Sequence, residues 1–184
     1  MKFLFLILSL STFSYGEFFD LESDLVLKYK SVDAHNLKTE CQGGGLASVC
    51  QIELSNTPLA SDLGFLFPYL PNMNALRLAS IVALHHNKKV DLYQSRGDRD
   101  HFIATLSGET IENSLFRDDT IVLKNISSEN FSFKNQNVYL YGHRLNIENS
   151  RDLVNMIKYS NEQSGSITMT FYGNDIRKPE FFVE

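Results

Sequence analysis

Five side chains able to bind a divalent metal ion crowd into one stretch: His85, His86, Asp98, Asp100 and His101. Imidazole nitrogens and carboxylate oxygens are the usual donors of zinc and related centres, and a centre needs three or four of them converging on one point. The two histidines close an apolar, helix-like run, and Asp98 to His101 lie in or beside the turn Ser95-Arg96-Gly97-Asp98. Assembly would require that turn to fold back beside the helix end. Adjacent helical residues point about 100° apart, which favours one of the two histidines over both. Neither the His-Glu-x-x-His spacing nor a calcium loop occurs. Helix-end capping and a solvated turn explain the same residues, so the sequence by itself implies no metal and no other cofactor.

Other chemistries find less. There is no Gly-x-Ser-x-Gly elbow to carry a nucleophilic serine. Glycoside hydrolysis needs two carboxylates facing across a cleft, and no spacing in the chain sets such a pair. Gly43-Gly44-Gly45 lacks the Lys-Ser/Thr ending of a phosphate loop. Arg96-Gly97-Asp98 matches an adhesion tripeptide and falls in a predicted turn, where Asp98 also serves simply to cap. Asn125-Ile126-Ser127 and Asn130-Phe131-Ser132 match glycosylation acceptors within an asparagine-rich stretch that explains them by composition. The balance leans away from an enzyme.

The first residues carry an address. Lys2 precedes an apolar run from Phe3 to Leu10, and Ser14-Tyr15-Gly16 sets small residues where a signal peptidase reads. The expectation is a signal peptide over residues 1–16, cleaved before Glu17, and a single domain over 17–184. The run is too short for a membrane span, which takes about 20 apolar residues. With export, the cysteines Cys41 and Cys50 read as one disulfide across a glycine-containing reversal. The formal net charge of −5 leaves no concentrated basic surface for nucleic acid.

These candidates must be held by elements. Met73 to His86 predicts a helix that is apolar around most of its circumference, capped at Asn72 and ended near His85, His86, Lys88 and Lys89. Its polar stripe holds Asn74, Arg77 and Ser80. Such a helix needs cover on several sides, and most of the remaining chain is strand-like. Leu25–Val32, Cys50–Leu54, Val90–Gln94, His101–Leu106 and Ser166–Tyr172 alternate with period two. Apolar-x-apolar-x-Asn/Gly recurs at Ile121–Asn125, Phe131–Asn135, Val138–Gly142 and Leu145–Asn149. The last three predict a meander turning at Gln136-Asn137 and His143-Arg144. One face would hold Phe131, Phe133, Val138, Leu140, Leu145 and Ile147. The other would hold Lys134, Tyr139, Tyr141, Asn146 and Glu148, an amphipathic patch suited to binding. A second helix opens at Asn149-Ser150 and buries Leu153, Met156, Ile157 and Ser160. The tail from Pro179 is left either frayed or docked.

The expected fold is therefore α+β: a mainly antiparallel sheet, with a meander in the C-terminal half, packed on one buried central helix, plus a shorter second helix. The expected function is an exported, non-catalytic protein that binds a protein or ligand partner through a sheet surface. Two alternatives stand beside it: a small extracytoplasmic hydrolase or metal-dependent enzyme, and a subunit whose apolar 59–84 region is covered only in an assembly. Secretion or a periplasmic location follows from the leader, with no nucleic-acid partner and no transmembrane span in the mature chain.

Overall fold

A computed structural model describes residues 25–42, 49–54, 70–96, 102–109, 120–135, 137–145, 147, 150–172 and 175–184. Strands β1 (Leu25–Val32), β2 (Leu37–Gln42) and β3 (Val49–Leu54) precede helix α1 (Leu70–His85). Strands β4 (Val90–Ser95), β5 (Phe102–Leu106), β6 (Thr120–Ile126), β7 (Phe131–Lys134), β8 (Asn137–Leu140) and β9 (His143–Leu145) follow. Helix α2 (Ser150–Gln163), β10 (Ile167–Tyr172) and β11 (Asp175–Val183) complete the order. The strands pair antiparallel in four small sheets, β1-β4-β5, β2-β3, β7-β8-β9 and β11-β10-β6.

Helix α1 is the common floor. It packs against β4 and β5 of the first sheet, β2 of the second, β9 of the meander, and β6 and β11 of the last. Every residue from Asn74 to Ala83 is buried, with Leu76, Ile81 and Val82 at most 2% exposed. Burying side chains of that size contributes about 1.5–3 kcal/mol each before entropy is counted. The helix begins at Leu70, so Asn72 lies inside its first turn and is not its cap. Pro71 is tolerated there because an N–H in the first turn has no helical partner to lose. Asn74, Arg77 and Ser80, the polar stripe, are buried as well. Ser80 Oγ donates back to the Leu76 carbonyl at 2.9 Å. Among the described residues no helix is long and apolar enough to cross a membrane.

The meander forms with both turns displaced toward the N-terminus. Lys134 pairs with Asn137 and Phe133 with Val138, so the first turn opens at Asn135. Leu140 pairs with His143 and Val138 with Leu145, so the second is Tyr141-Gly142. Two-residue hairpin turns need left-handed backbone, which Asn and Gly adopt most cheaply. Asn135 stands at φ 50°, and Tyr141 and Gly142 at 50° and 83°. The expected turn pairs Gln136-Asn137 and His143-Arg144 would have wasted both favoured residues. Each register moves by an even step, so the faces survive: Phe131, Val138, Leu140 and Leu145 are buried. Phe133 is the exception at 52% exposed, although Val138 opposite it is buried. His143, expected in a turn, joins the buried face at 6%.

Strand β6 leaves the meander and pairs with β10, Val122 opposite Thr170 and Leu123 opposite Met169. The C-terminal tail is docked as β11, with Met169 opposite Phe181 and Thr168 opposite Phe182. Gly165 lies where this strand ends: a Cβ there would stand 2.8 Å from the Glu184 carbonyl oxygen. Helix α2 buries Leu153, Ile157 and Ser160 as its spacing predicts, and Met156 is half-buried.

Candidate functional site

The end of α1 is fixed by its own backbone. Lys88 N–H donates to the Ala83 carbonyl at 2.7 Å and Asn87 N–H to the Leu84 carbonyl at 3.2 Å. Asn87 takes the left-handed conformation, φ 52°, in the place glycine usually fills. That closure holds His85 and His86 side by side, their rings edge to face with centroids 4.9 Å apart. Lys88 is drawn aside by Glu109, Nζ to Oε1 3.3 Å.

The β8–β9 turn meets this end. Tyr141 Oη lies 2.9 Å from His85 Nδ1, with both side chains half-buried. Burial, and secondarily the neighbouring His86, lower the His85 pKa; burial raises that of Tyr141. A bulky residue at positive φ is unusual, costing roughly 1–2 kcal/mol against a right-handed conformation. Tyr141 is held there by its backbone N–H, which donates to the Asn130 carbonyl at 2.9 Å, and by the His85 contact.

On the buried side of the same hairpin, His143 Nε2–H donates to the Ala34 carbonyl at 3.1 Å. Desolvation dominates its titration and takes the pKa down to about 4, with the charges of Arg77 and His35 acting in the same direction and the Ala34 bond opposing. A second buried anchor is Asp91, whose Oδ1 accepts from Ser31 N–H and Ser107 Oγ, each at 2.6 Å. These bonds tie an irregular part of β1, where Ser31 has φ 55°, to the turn after β5.

Of the expected patch, Lys134 is exposed at the end of β7, and Tyr139 is half-buried between Ser132 and Arg144 on the neighbouring strands. Tyr141 belongs to the turn and not to that strand face. Asn146 and Glu148 lie outside the described residues, as do Asp98, Asp100 and His101 of the metal set. Among the described residues no three metal-binding side chains cluster. Cys41 and Cys50 occupy directly opposed positions on β2 and β3.

A surface that sequence reasoning missed lies on the outer side of β11-β10-β6. Thr170 stands between Val122 on β6 and Glu180 on β11, with Tyr172 beyond it and Phe182 beside Thr168. Val122, Tyr172 and Phe182 are 44%, 48% and 48% exposed. Glu180 Oε2 accepts from the Tyr172 hydroxyl at 2.7 Å, which pushes the phenol pKa up. Glu184 Oε1 accepts from Thr168 Oγ1 at 3.1 Å. The missing signal was pairing: β11 contains Pro179 and four charged residues before Phe181, so alternation alone did not reveal it. Compared with protein families, with curated proteins and with solved structures, the chain matches none.

Proposed function

We propose that the chain is an exported, non-catalytic binding protein that engages a protein or ligand partner through the outer face of β11-β10-β6. One observation carries this reading. Among the described residues six large apolar or aromatic side chains are exposed, and three of them, Val122, Tyr172 and Phe182, share that face. Oily and aromatic groups framed by Thr170, Glu180 and Glu184 match the make-up of interface patches, where tyrosine and phenylalanine anchor and polar groups rim. Export rests on the leader pattern of residues 1–16.

A Cys41–Cys50 disulfide belongs to the same reading. Directly opposed antiparallel residues have Cα atoms about 4.5–5.5 Å apart, within the span of about 4.4–6.8 Å that a disulfide bridges. Closing so short a loop stabilises by about 3 kcal/mol in a chain-entropy account.

The test compares capture from native extracts of the producing organism by the wild-type chain and by Val122→Glu/Phe182→Glu. Both positions are exposed, so the variant should keep the wild-type circular dichroism and melting behaviour. A partner retained by the wild type and lost by the folded variant supports the reading. Equal retention by both sinks it, as does retention of nothing by either after cross-linking.

A further inference from the structure

The His85–His86 pair has a use that partner binding on the sheet does not absorb. An imidazole-bound metal ion lies about 2.0–2.1 Å from its nitrogen, so two imidazoles on one tetrahedral ion have ring centres about 5 Å apart. The rings of His85 and His86 stand 4.9 Å apart at 78°, within that reach, and the exposed His86 must turn about its side-chain bonds from this edge-to-face contact to aim its nitrogen at a shared ion. Adjacent helical residues normally diverge by about 100°. Here the two rings approach in spite of that divergence: His86 lies just past the last helical residue, and its N–H still bonds the Val82 carbonyl at 3.0 Å.

Three further observations converge on the same pair. Histidines that bind metals nearly always give their other ring nitrogen to an oxygen partner, which fixes the tautomer and the ring plane. His85 has such a partner in Tyr141 Oη, 2.9 Å from Nδ1, which leaves Nε2 for an ion. The partner is itself delivered by a tyrosine at φ 50°, in a turn that asparagine or glycine would form at lower cost. Strain of this kind collects where a side chain has a task. The carbonyl pole of α1 also favours a cation at this end.

We propose that His85 and His86 form a two-imidazole site for one borderline dication, of the zinc, copper(II) or nickel class, with Tyr141 as its positioning residue. Among the described residues no third histidine, cysteine or carboxylate joins them, so the pair supplies two donors and the ion takes the rest from outside it. Imidazole donors select these ions over calcium and magnesium, which prefer oxygen. No group is transferred and no redox step is involved. Each ligating histidine gives a neutral nitrogen lone pair to the ion and keeps the proton on its other nitrogen.

The experiment is calorimetric titration of the tag-free chain, as recovered from its producing cells, with zinc chloride and then with nickel chloride. One ion per chain is expected. His85→Asn and His86→Asn should each weaken binding at least ten-fold, and Tyr141→Phe should weaken it by about ten-fold while sparing the stoichiometry. A second readout keeps the roles apart. Zinc should shift the imidazole resonances of His85 and His86 and leave those of the buried His143 in place. His86 is exposed and His85 and Tyr141 are half-buried, so a melting curve on each variant verifies folding. No binding, or binding that survives both histidine substitutions, overturns the proposal. Calcium displacing zinc at equal concentration overturns it too.

Discussion

Acid should loosen this protein through one imidazole. His143 is 6% exposed, and its pKa in the folded chain is about 4 against an ordinary 6.5. The folded value is the lower one, so on acidification the unfolded chain takes up the proton first. The stability that comes from keeping His143 neutral is full above pH 6.5, is lost as the pH falls toward 4, and levels off below that because both states are then charged. A gap of that width corresponds to about 3 kcal/mol in total, with about 2 kcal/mol already lost at pH 5. The assay is urea unfolding at pH 7, 6 and 5 on the wild type and on His143→Gln. The glutamine can still donate to the Ala34 carbonyl but does not titrate. Carboxylates and the other histidines act alike in both chains, so the difference between the two slopes isolates His143. The wild type should lose about 2 kcal/mol more than the variant between pH 7 and pH 5. Parallel slopes would refute the reasoning, since they would mean that water reaches the ring or that the hairpin opens without unfolding.

Other positions give shorter tests. Gly165→Ala sets a methyl against the Glu184 carbonyl at 2.8 Å and should destabilise by about 1–3 kcal/mol, read as a lowered urea midpoint. Asp91→Ala leaves Ser31 N–H and Ser107 Oγ without their shared acceptor and should cost about 1–3 kcal/mol, with amide exchange quickening first at Ser31. Tyr141→Phe removes only the hydroxyl and should cost about 0.5–1.5 kcal/mol. Tyr141→Gly relieves the left-handed backbone as well, so its loss should be less than side-chain removal alone implies; a larger loss would deny the strain. Thiol titration of the unfolded chain should find no free cysteine before reduction, and two afterwards.

Much of the architecture was legible because local pattern and tertiary demand agree. The all-round apolar character of Leu76, Leu78, Ile81 and Val82 announced a helix that strands must enclose, and all four sheets touch it. Period-two alternation at Ile167, Met169 and Phe171 gave β10 and its inner face, and Leu153 and Ile157 gave the buried side of α2. The errors have physical causes. Apolar spacing determines which face a residue takes but not where the chain reverses, so both meander turns were assigned late. Backbone cost decided for Asn135 and Gly142. Strand β2 has only Leu37 and Cys41 as apolar residues and owes its form to β3, pairing that one segment does not reveal. β11 tolerates Pro179 because it is an edge strand, and the tail's spacing alone did not decide between frayed and docked.

The same limit governed the site. Nothing local marks Val122 and Phe182 as members of one surface, because their proximity comes from β6 and β11 flanking β10. The histidine pair was visible as residues, yet its Tyr141 partner lies 56 positions away and meets it only when the hairpin turn closes on the helix end.

The most direct measurement incorporates a photoreactive phenylalanine analogue, one position at a time, at 122, 182, 133 and 159 in the native producing cells. All four wild-type residues are exposed, and Phe133 and Tyr159 belong to β7 and α2, not to the strands of β11-β10-β6. Irradiation should yield a defined adduct at 122 and 182 and none at 133 or 159. Adducts confined to 133 or 159, or spread equally over all four, would contradict the claim that this sheet face is where the protein binds.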